Sequence, residues 1–371
     1  MVSPAECGQR KETMSNSRER TLLTLDHRTA DRIPVDFWAS EATIQNLENA
    51  LGLSREQFLD QYDVDLRYIS GPEYIGPPLE NGADIWGVKR RVVNMDSTGR
   101  SEAYREVVQA PLSGAATLDQ IENYPYWPDP DCFDYKVIEG QCNAVLDKDR
   151  IVVFMGDRLN RVAQLKPAMY LRGSEEIFMD IAIREQIAHT IFRKIREFYL
   201  VYLERILDSA KGRIDIVLTG DDFGAQNGLL VSPDMWRTFI KPGFADYVSL
   251  VKSHDAIAMH HTCGSVVEII PDMIECGLDV LQSIQPEAEN MSLANLKAKF
   301  GEKLCFHGGI SIQKTMPFCS PDDIRQEVKA IADTVRPDGG YIFCTAHNIQ
   351  ADTPVENVLA LMNSYLEYGK M

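Results

Sequence analysis

Along the chain, short apolar runs alternate with helical patterns, and a turn rich in Gly, Asp, Ser or Pro separates each pair. The runs are Ile33–Trp38, Leu66–Ser70, Ile151–Gly156, Ile214–Thr219, Ala256–His261, Asp279–Ile284, Leu304–His307 and Tyr341–Cys344. Each has the length of a buried strand, and the stretches between them have room for helices, so parallel βαβ units are predicted. The helix starts agree. Ser232-Pro233, Ser320-Pro321 and Thr353-Pro354 each place a capping hydroxyl before a proline suited to the first helical position. Thr353-x-x-Glu356 also fits a capping box. A last helix is predicted over 353–368, where Val355, Val358, Leu359, Leu361, Met362 and Tyr365 recur with a helical period.

Eight such units predict an α/β fold, a single-domain (β/α)8 TIM barrel. An open doubly wound sheet is the alternative, but no GxGxxG follows the first run, and polar residues sit at many strand ends rather than at one switch point. Residues 1–15 read as a polar tail and 16–371 as the barrel, with an insertion after the second strand over 76–148 that serves as a lid region. The insertion carries Tyr124-Pro125-Tyr126-Trp127-Pro128-Asp129-Pro130-Asp131. Prolines at that density exclude a continuous helix and predict an ordered loop or lid edge.

Composition narrows the partners. The 371 residues include 38 Lys+Arg against 55 Asp+Glu, a net charge of −17. That charge repels phosphate backbones and anionic lipid, so neither nucleic acid nor a membrane surface is an expected partner. No run approaches the ~18 apolar residues of a membrane span, and the N-terminal residues lack the apolar segment of a secretory signal. Eight cysteines without a CxxC read as reduced thiols. A cytoplasmic protein is expected; homo-oligomerisation is left open.

In a barrel, reactive side chains come from the C-terminal strand ends. Four of the seven histidines, 260, 261, 307 and 347, lie at such ends. His261-x-Cys263 together with His347 is a candidate metal triad, because imidazole and thiolate suit Zn²⁺ and three ligands leave one position open. On spacing alone, a buried thiol beside two substrate-binding histidines remains the alternative. His260 and Cys344, out of step with the triad along their strands, read as packing residues. Asp221 and Asp222, on a glycine-flanked turn, are candidate catalytic acids, although one of such a pair commonly caps a helix or turn. His307 is a candidate proton-transfer group. Trp38, Asp157, Arg158, Gln226, Gln285 and Asn348 are candidate substrate contacts, with Gln282 a further neutral hydrogen-bonding residue.

Several blocks in order carry a family resemblance. They include Asp31-Arg32-Ile33-Pro34-Val35, Gly220-Asp221-Asp222, Ser232-Pro233-x-x-Trp236, His261-Thr262-Cys263-Gly264-Ser265, Gly308-Gly309-Ile310-Ser311 and Ala346-His347-Asn348 through Asn357. From about Ser17 to Lys370 the chain resembles the uroporphyrinogen decarboxylase superfamily, which implies a (β/α)8 barrel with its site in the mouth. True uroporphyrinogen decarboxylases hold substrate carboxylates with an arginine-rich segment after the first strand. Here that place reads Asp36-Phe37-Trp38-Ala39-Ser40-Glu41, where a polycarboxylate meets repulsion instead of bidentate arginine. The cobamide-dependent methyltransferase branch carries His-x-Cys and a later Cys as zinc ligands. His261 and Cys263 match the first two, and His347 stands at the third. This resemblance implies a zinc-dependent methyltransferase that exchanges a methyl group with a methylcobamide carried by a corrinoid protein partner. The alternative it leaves is a cofactor-free decarboxylase or lyase acting on a small carboxylic acid or a porphyrinogen.

Overall fold

The computed structural model describes residues 15–79, 82–97, 100–156, 161–336 and 338–370. Its centre is a curled sheet of seven parallel strands, each paired with the next in sequence: β1 (Leu66–Ile69), β2 (Ile151–Phe154), β3 (Ile216–Gly220), β4 (Ile257–His261), β5 (Val280–Ile284), β6 (Cys305–Gly308) and β7 (Tyr341–Ile342). These are seven of the eight apolar runs. The first run, Ile33–Trp38, is not a strand of the sheet, yet it bonds to both edges. The Asp65 N–H donates to the Val35 carbonyl (2.9 Å), while Asp36 N–H donates to Phe343 O (2.9 Å) and Phe343 N–H to Pro34 O (2.8 Å). The segment therefore spans the gap between β7 and the chain entering β1.

Charged groups fix that closure. Asp65 is fully buried and receives Arg20 (2.6 Å), Arg32 (2.6 Å) and the Val35 N–H (2.8 Å). A buried carboxylate needs such partners to offset its desolvation. Arg32 also bonds to the Tyr365 hydroxyl, which donates to Ile33 O at 2.7 Å, so the last helix is tied to the same corner.

Alternate strand residues point inward. Leu66, Val153, Leu218, Met259, Val280 and Ile342 pack against one another as an apolar plug in the sheet's interior. Continuing the same parity toward the strand ends gives Tyr68, His261, Gln282 and His307, so the polar residues are stacked directly above this plug. The outer faces of the strands pack against the helices in a second, larger core.

Ser232 and Ser320 cap their helices as expected, accepting from Met235 N and Asp323 N. Thr353 does not. The last helix is Val355–Tyr368 and begins after Pro354, whose ψ of 142° is extended; the Thr353 hydroxyl is buried without a hydrogen-bond partner among the described residues. Between β1 and β2 lie an antiparallel hairpin, Lys89–Ser97 with Arg100–Gln109, and a helix, Val137–Leu146. The hairpin escaped the sequence reading because polar residues dominate it and even Val92 is mostly exposed, so no alternating apolar face marks it. Among the described residues, no helix is long and apolar enough to cross a membrane.

Candidate active site

His261 ends β4, and Cys263 follows two residues later on a turn held from three sides. The Thr262 N–H donates to Gln282 O (2.6 Å), the Thr262 hydroxyl accepts from Phe223 N (3.0 Å), and Gln285 Oε1 accepts from Gly264 N (3.1 Å). Gly264 sits at φ +80°, and a Cβ there would stand 2.3 Å from the Gly224 carbonyl carbon. Only glycine lets the turn after Cys263 pack this closely on its neighbour. Gly220 has a similar role on the preceding strand, since a Cβ there would meet Arg161 Cδ at 2.7 Å and His261 Cβ at 3.2 Å.

His347, on the segment after β7, completes the cluster. One donor atom each from His261, Cys263 and His347 lie within 4.8 Å of one another. His261 Nε2 is 3.5 Å from Cys263 Sγ. With metal–nitrogen and metal–sulfur bonds of about 2.05 and 2.3 Å, a tetrahedral ion separates such a pair by about 3.6 Å, so the spacing fits. On its other side, His261 Nδ1 donates to Gln282 Oε1 at 2.7 Å, which leaves the Nε2 lone pair directed at the cluster. The donors are close-set, chemically suited to zinc, and oriented from behind.

Burial sets their protonation. It pushes the Cys263 thiol up to about 12, helped by the Asp222 charge. Burial likewise lowers His347 to about 4, with His261 adding to the effect. His261 is also lowered by burial, although Asp222 pulls the other way. Both imidazoles are thus neutral, the form that binds a cation, while the thiol must give up a proton to do so.

Asp222 and Asp221 have separate jobs. Asp222 Oδ1 accepts from the Cys263 N–H (3.2 Å) and lies 3.5 Å from His261 Nε2; its other oxygen is paired with Lys166. Burial opposes its charge, but His261 and Lys166 outweigh burial and hold it well below the usual carboxylate range. Of the two expected acids, Asp221 is the one that takes the capping role such a pair commonly includes. Its carboxylate faces the start of the helix Leu165–Arg172 and accepts from Gln164 N (2.6 Å), Leu165 N (2.9 Å) and Lys166 N (2.7 Å). That helix has no capping side chain of its own, so Asp221 meets its orphan donors from across the fold. Burial raises its carboxyl to about 6 despite these bonds.

The other expected contacts divide. The Trp38 ring lies 5.7 Å from His261 and 6.0 Å from His347, forming one wall of the cluster. Gln285 holds the turn after Cys263. Gln226 is exposed and pairs with Gln313 (3.3 Å). Asn348 is half-buried next to His347, and its carbonyl accepts from Gln350 Nε2 (3.0 Å). Asp157 and Arg158 lie outside the described residues.

His307 is also away from the triad. It is fully buried, 2.9 Å from Asp36, whose carboxylate also accepts from the Tyr68 hydroxyl (2.5 Å). Cys344 belongs to this second group, with its sulfur within 4.8 Å of a donor atom of both Asp36 and His307. His260 faces outward, stacked on Phe223 (5.2 Å) and bonded to Thr219 (2.8 Å).

Three participants were missed. Lys166 and Arg161 come from the segment after β2, where no motif marks them; the Arg161 guanidinium lies 5.8 Å from the Trp38 ring centre. The site is therefore not free of arginine, as the first strand end alone suggested. Asp36 was noted only as an acid in place of an arginine, although its alternation with Trp38 was a usable signal of inward placement.

The family model described as uroporphyrinogen decarboxylase (URO-D) matches residues 163–368. A methylcobamide:CoM methyltransferase from Methanosarcina barkeri is 28% identical over 155 residues, 42% of this chain and 42% of that protein. A uroporphyrinogen decarboxylase from Actinobacillus succinogenes is 34% identical over 80 residues, 22% of each chain. The chain thus spans less than half the length of these curated relatives. In fold, it is similar to a methyltransferase from Methanosarcina mazei, with a TM-score of 0.65 at 18% identity, covering 95% of this chain and 99% of that one.

Proposed function

Because the chain belongs to the uroporphyrinogen decarboxylase family, and shares its longer matched stretch with a methyltransferase, we propose that it transfers a methyl group between a cobamide and a small substrate, with zinc held by His261, Cys263 and His347. The observation that carries this reading is the triad, two neutral imidazoles and a thiol with a 3.5 Å nitrogen–sulfur spacing. Bound zinc supplies Lewis acidity toward a substrate oxygen or sulfur. The chain's own groups prepare the place. Gln282 fixes the orientation of His261, Asp222 holds the Cys263 backbone, Lys166 balances the Asp222 charge, and Trp38 walls off one side. The methyl carrier is a corrinoid protein docking over the mouth. On this reading residues 16–371 form one complete (β/α)8 barrel, with Ile33–Trp38 as its first stave and 76–148 as the lid region.

The test is direct. Protein purified without chelator is assayed for zinc, then mixed with methylcobalamin and a panel of thiols while the cobalamin spectrum is followed. The expected result is about one zinc per chain and thiol-dependent demethylation that chelation stops. Metal-free protein with chelator-insensitive activity would overturn the zinc assignment. Release of carbon dioxide from small acids without corrinoid would favour the decarboxylase alternative.

A further inference from the structure

Two consecutive carboxylates just after β3 hold one lysine at both of its ends. Asp221 Oδ1 accepts from the Lys166 backbone N–H (2.7 Å), and Asp222 Oδ2 is paired with the Lys166 ammonium. Asp221 is buried, and its second oxygen takes the Gln164 and Leu165 N–H groups (2.6 and 2.9 Å). One side chain thus meets three donors at the start of the helix Leu165–Arg172. The other end of that helix is tied down as well. Leu171 O accepts from Leu112 N (2.8 Å), and the Arg90 guanidinium lies 4.2 Å from the Tyr170 ring centre. The backbone from which Lys166 extends is therefore held at both ends of the helix.

The same two acids are joined to the metal-binding turn. The Asp221 N–H donates to the His261 carbonyl (3.1 Å), and Asp222 Oδ1 accepts from the Cys263 N–H (3.2 Å). Between them stands a pair that does not fix itself. The Lys166 and Asp222 side chains are 34% and 29% exposed. At that exposure the charges are screened, and forming the pair costs side-chain entropy. Its geometry is better defined when the lysine extends from a fixed backbone. A serine or threonine at position 164 would satisfy the helix donors locally. A cap sent from the end of β3 does more, because it also registers the helix against the strand ends that carry His261 and Cys263.

We propose that Asp221 is a positioning residue for Cys263. By fixing the start of the helix it holds Lys166 on Asp222, and Lys166 in turn keeps the Asp222 carboxylate on the Cys263 N–H. The consequence for the metal rests on the proposed zinc site, but the chain of hydrogen bonds itself involves only protein groups.

Deuterated, nitrogen-15-labelled full-length protein is stripped of metal, and hydrogen exchange at the Thr262, Cys263 and Gly264 amides is followed by NMR. These neighbours have three different acceptors, Gln282 O, Asp222 Oδ1 and Gln285 Oε1. Asp221→Asn and Lys166→Met are each expected to speed exchange at Cys263 about tenfold, the worth of one hydrogen bond. Thr262 and Gly264 stay as they are, and Lys166→Arg keeps Cys263 slow. The double variant exchanges no faster than either single one, because both break the same chain. Asp221→Glu keeps the charge and displaces the helix start, so it also speeds Cys263; it serves alone if the asparagine variant does not fold. Equal acceleration at all three amides, an unmoved Cys263 in the Asp221 variants, or multiplying effects in the double variant would overturn the proposal. Zinc affinity of the same variants should fall about tenfold by chelator competition. Wild-type protein that takes up no zinc would sink the metal assignment, and the exchange rates would still decide the positioning role.

Discussion

Two histidine- and cysteine-containing clusters lie in the same interior, and their residue types alone do not distinguish them. His261, Cys263 and His347 form one; Asp36, His307 and Cys344 form the other, and in each a set of donor atoms lies within 4.8 Å. Their internal spacing differs. In the upper cluster the nitrogen–sulfur distance is 3.5 Å, a hydrogen-bonding separation for sulfur that also suits an intervening ion. In the lower one, His307 and Asp36 are 2.9 Å apart and Tyr68 donates to the same carboxylate at 2.5 Å, so these three are joined by direct hydrogen bonds with no room for an ion between them, although His307 Nδ1 has no partner among the described residues. The lower group is also wholly buried, whereas Cys263 and His347 are only half-buried. Ligand chemistry is common to both; spacing and access decide what each can do.

The largest expected effect separates them through their cysteines. Cys263→Ser should weaken zinc binding by more than about 100-fold, since losing a ligand exceeds the cost of losing a supporting group. Cys344→Ser should leave zinc content unchanged. Competition against a chelator of known affinity measures both, and loss of zinc in the Cys344 variant would reverse the assignment. Next comes Gln282→Met, which removes the group orienting His261 while sparing every ligand. Zinc affinity should fall by about 10- to 100-fold, read in the same titration. Asp36→Asn probes the lower cluster. Tyr68 and His307 both donate to one Asp36 oxygen while the other accepts from Phe37 N (2.8 Å), so an amide, with a single acceptor atom, cannot meet all three, and thermal and urea unfolding should show a loss of about 1–3 kcal/mol, with zinc content intact. A matching loss of zinc would mean that the two clusters act as one.

The smallest effect comes from the charged closure at the other end of the strands. Burial alone would raise the Asp31 and Asp63 carboxyls. The hydrogen bonds and charges of Arg20 and Arg32 at Asp31, and of Arg150 and Arg32 at Asp63, more than offset this and lower both. A carboxylate lowered on folding adds stability above its ordinary value near 3.8, and that contribution is lost as pH falls further. Unfolding between pH 6 and pH 3 should show the loss, and Asp63→Asn should flatten the slope. Asp63 is half exposed, so its share is at most about 1 kcal/mol. An unchanged slope would remove Asp63 from the set of groups that hold the closure.

The sequence was informative wherever a residue's environment follows from its neighbours along the chain. Seven apolar runs became paired strands, and serine followed by proline marked two helix starts. His-x-Cys at a strand end placed two of the three triad residues beside each other. Legibility failed where the partner was remote. Asp221 and Asp222 are consecutive, yet one caps a helix that begins at Leu165 and the other supports Cys263. The first run bonds to both sheet edges without being a strand in the sheet, because its pairing is with segments near Asp65 and Phe343.

By itself, then, the sequence determined the repeating strand-and-helix order, the inward parity of each run and the kinds of donor available at the strand ends, because these depend on local periodicity and side-chain chemistry. Only the tertiary structure decided which donors meet. Curling the sheet brings His347 to His261 and Cys263, while Cys344 goes to Asp36 and His307, although Cys344 and His347 are only three residues apart. The physical reason is that the chain has left β7 by Cys344 and bends at Ala346 and His347. That bend, which no periodicity in the sequence marks, carries His347 to the half-open triad while Cys344 stays in the buried group beside Asp36 and His307.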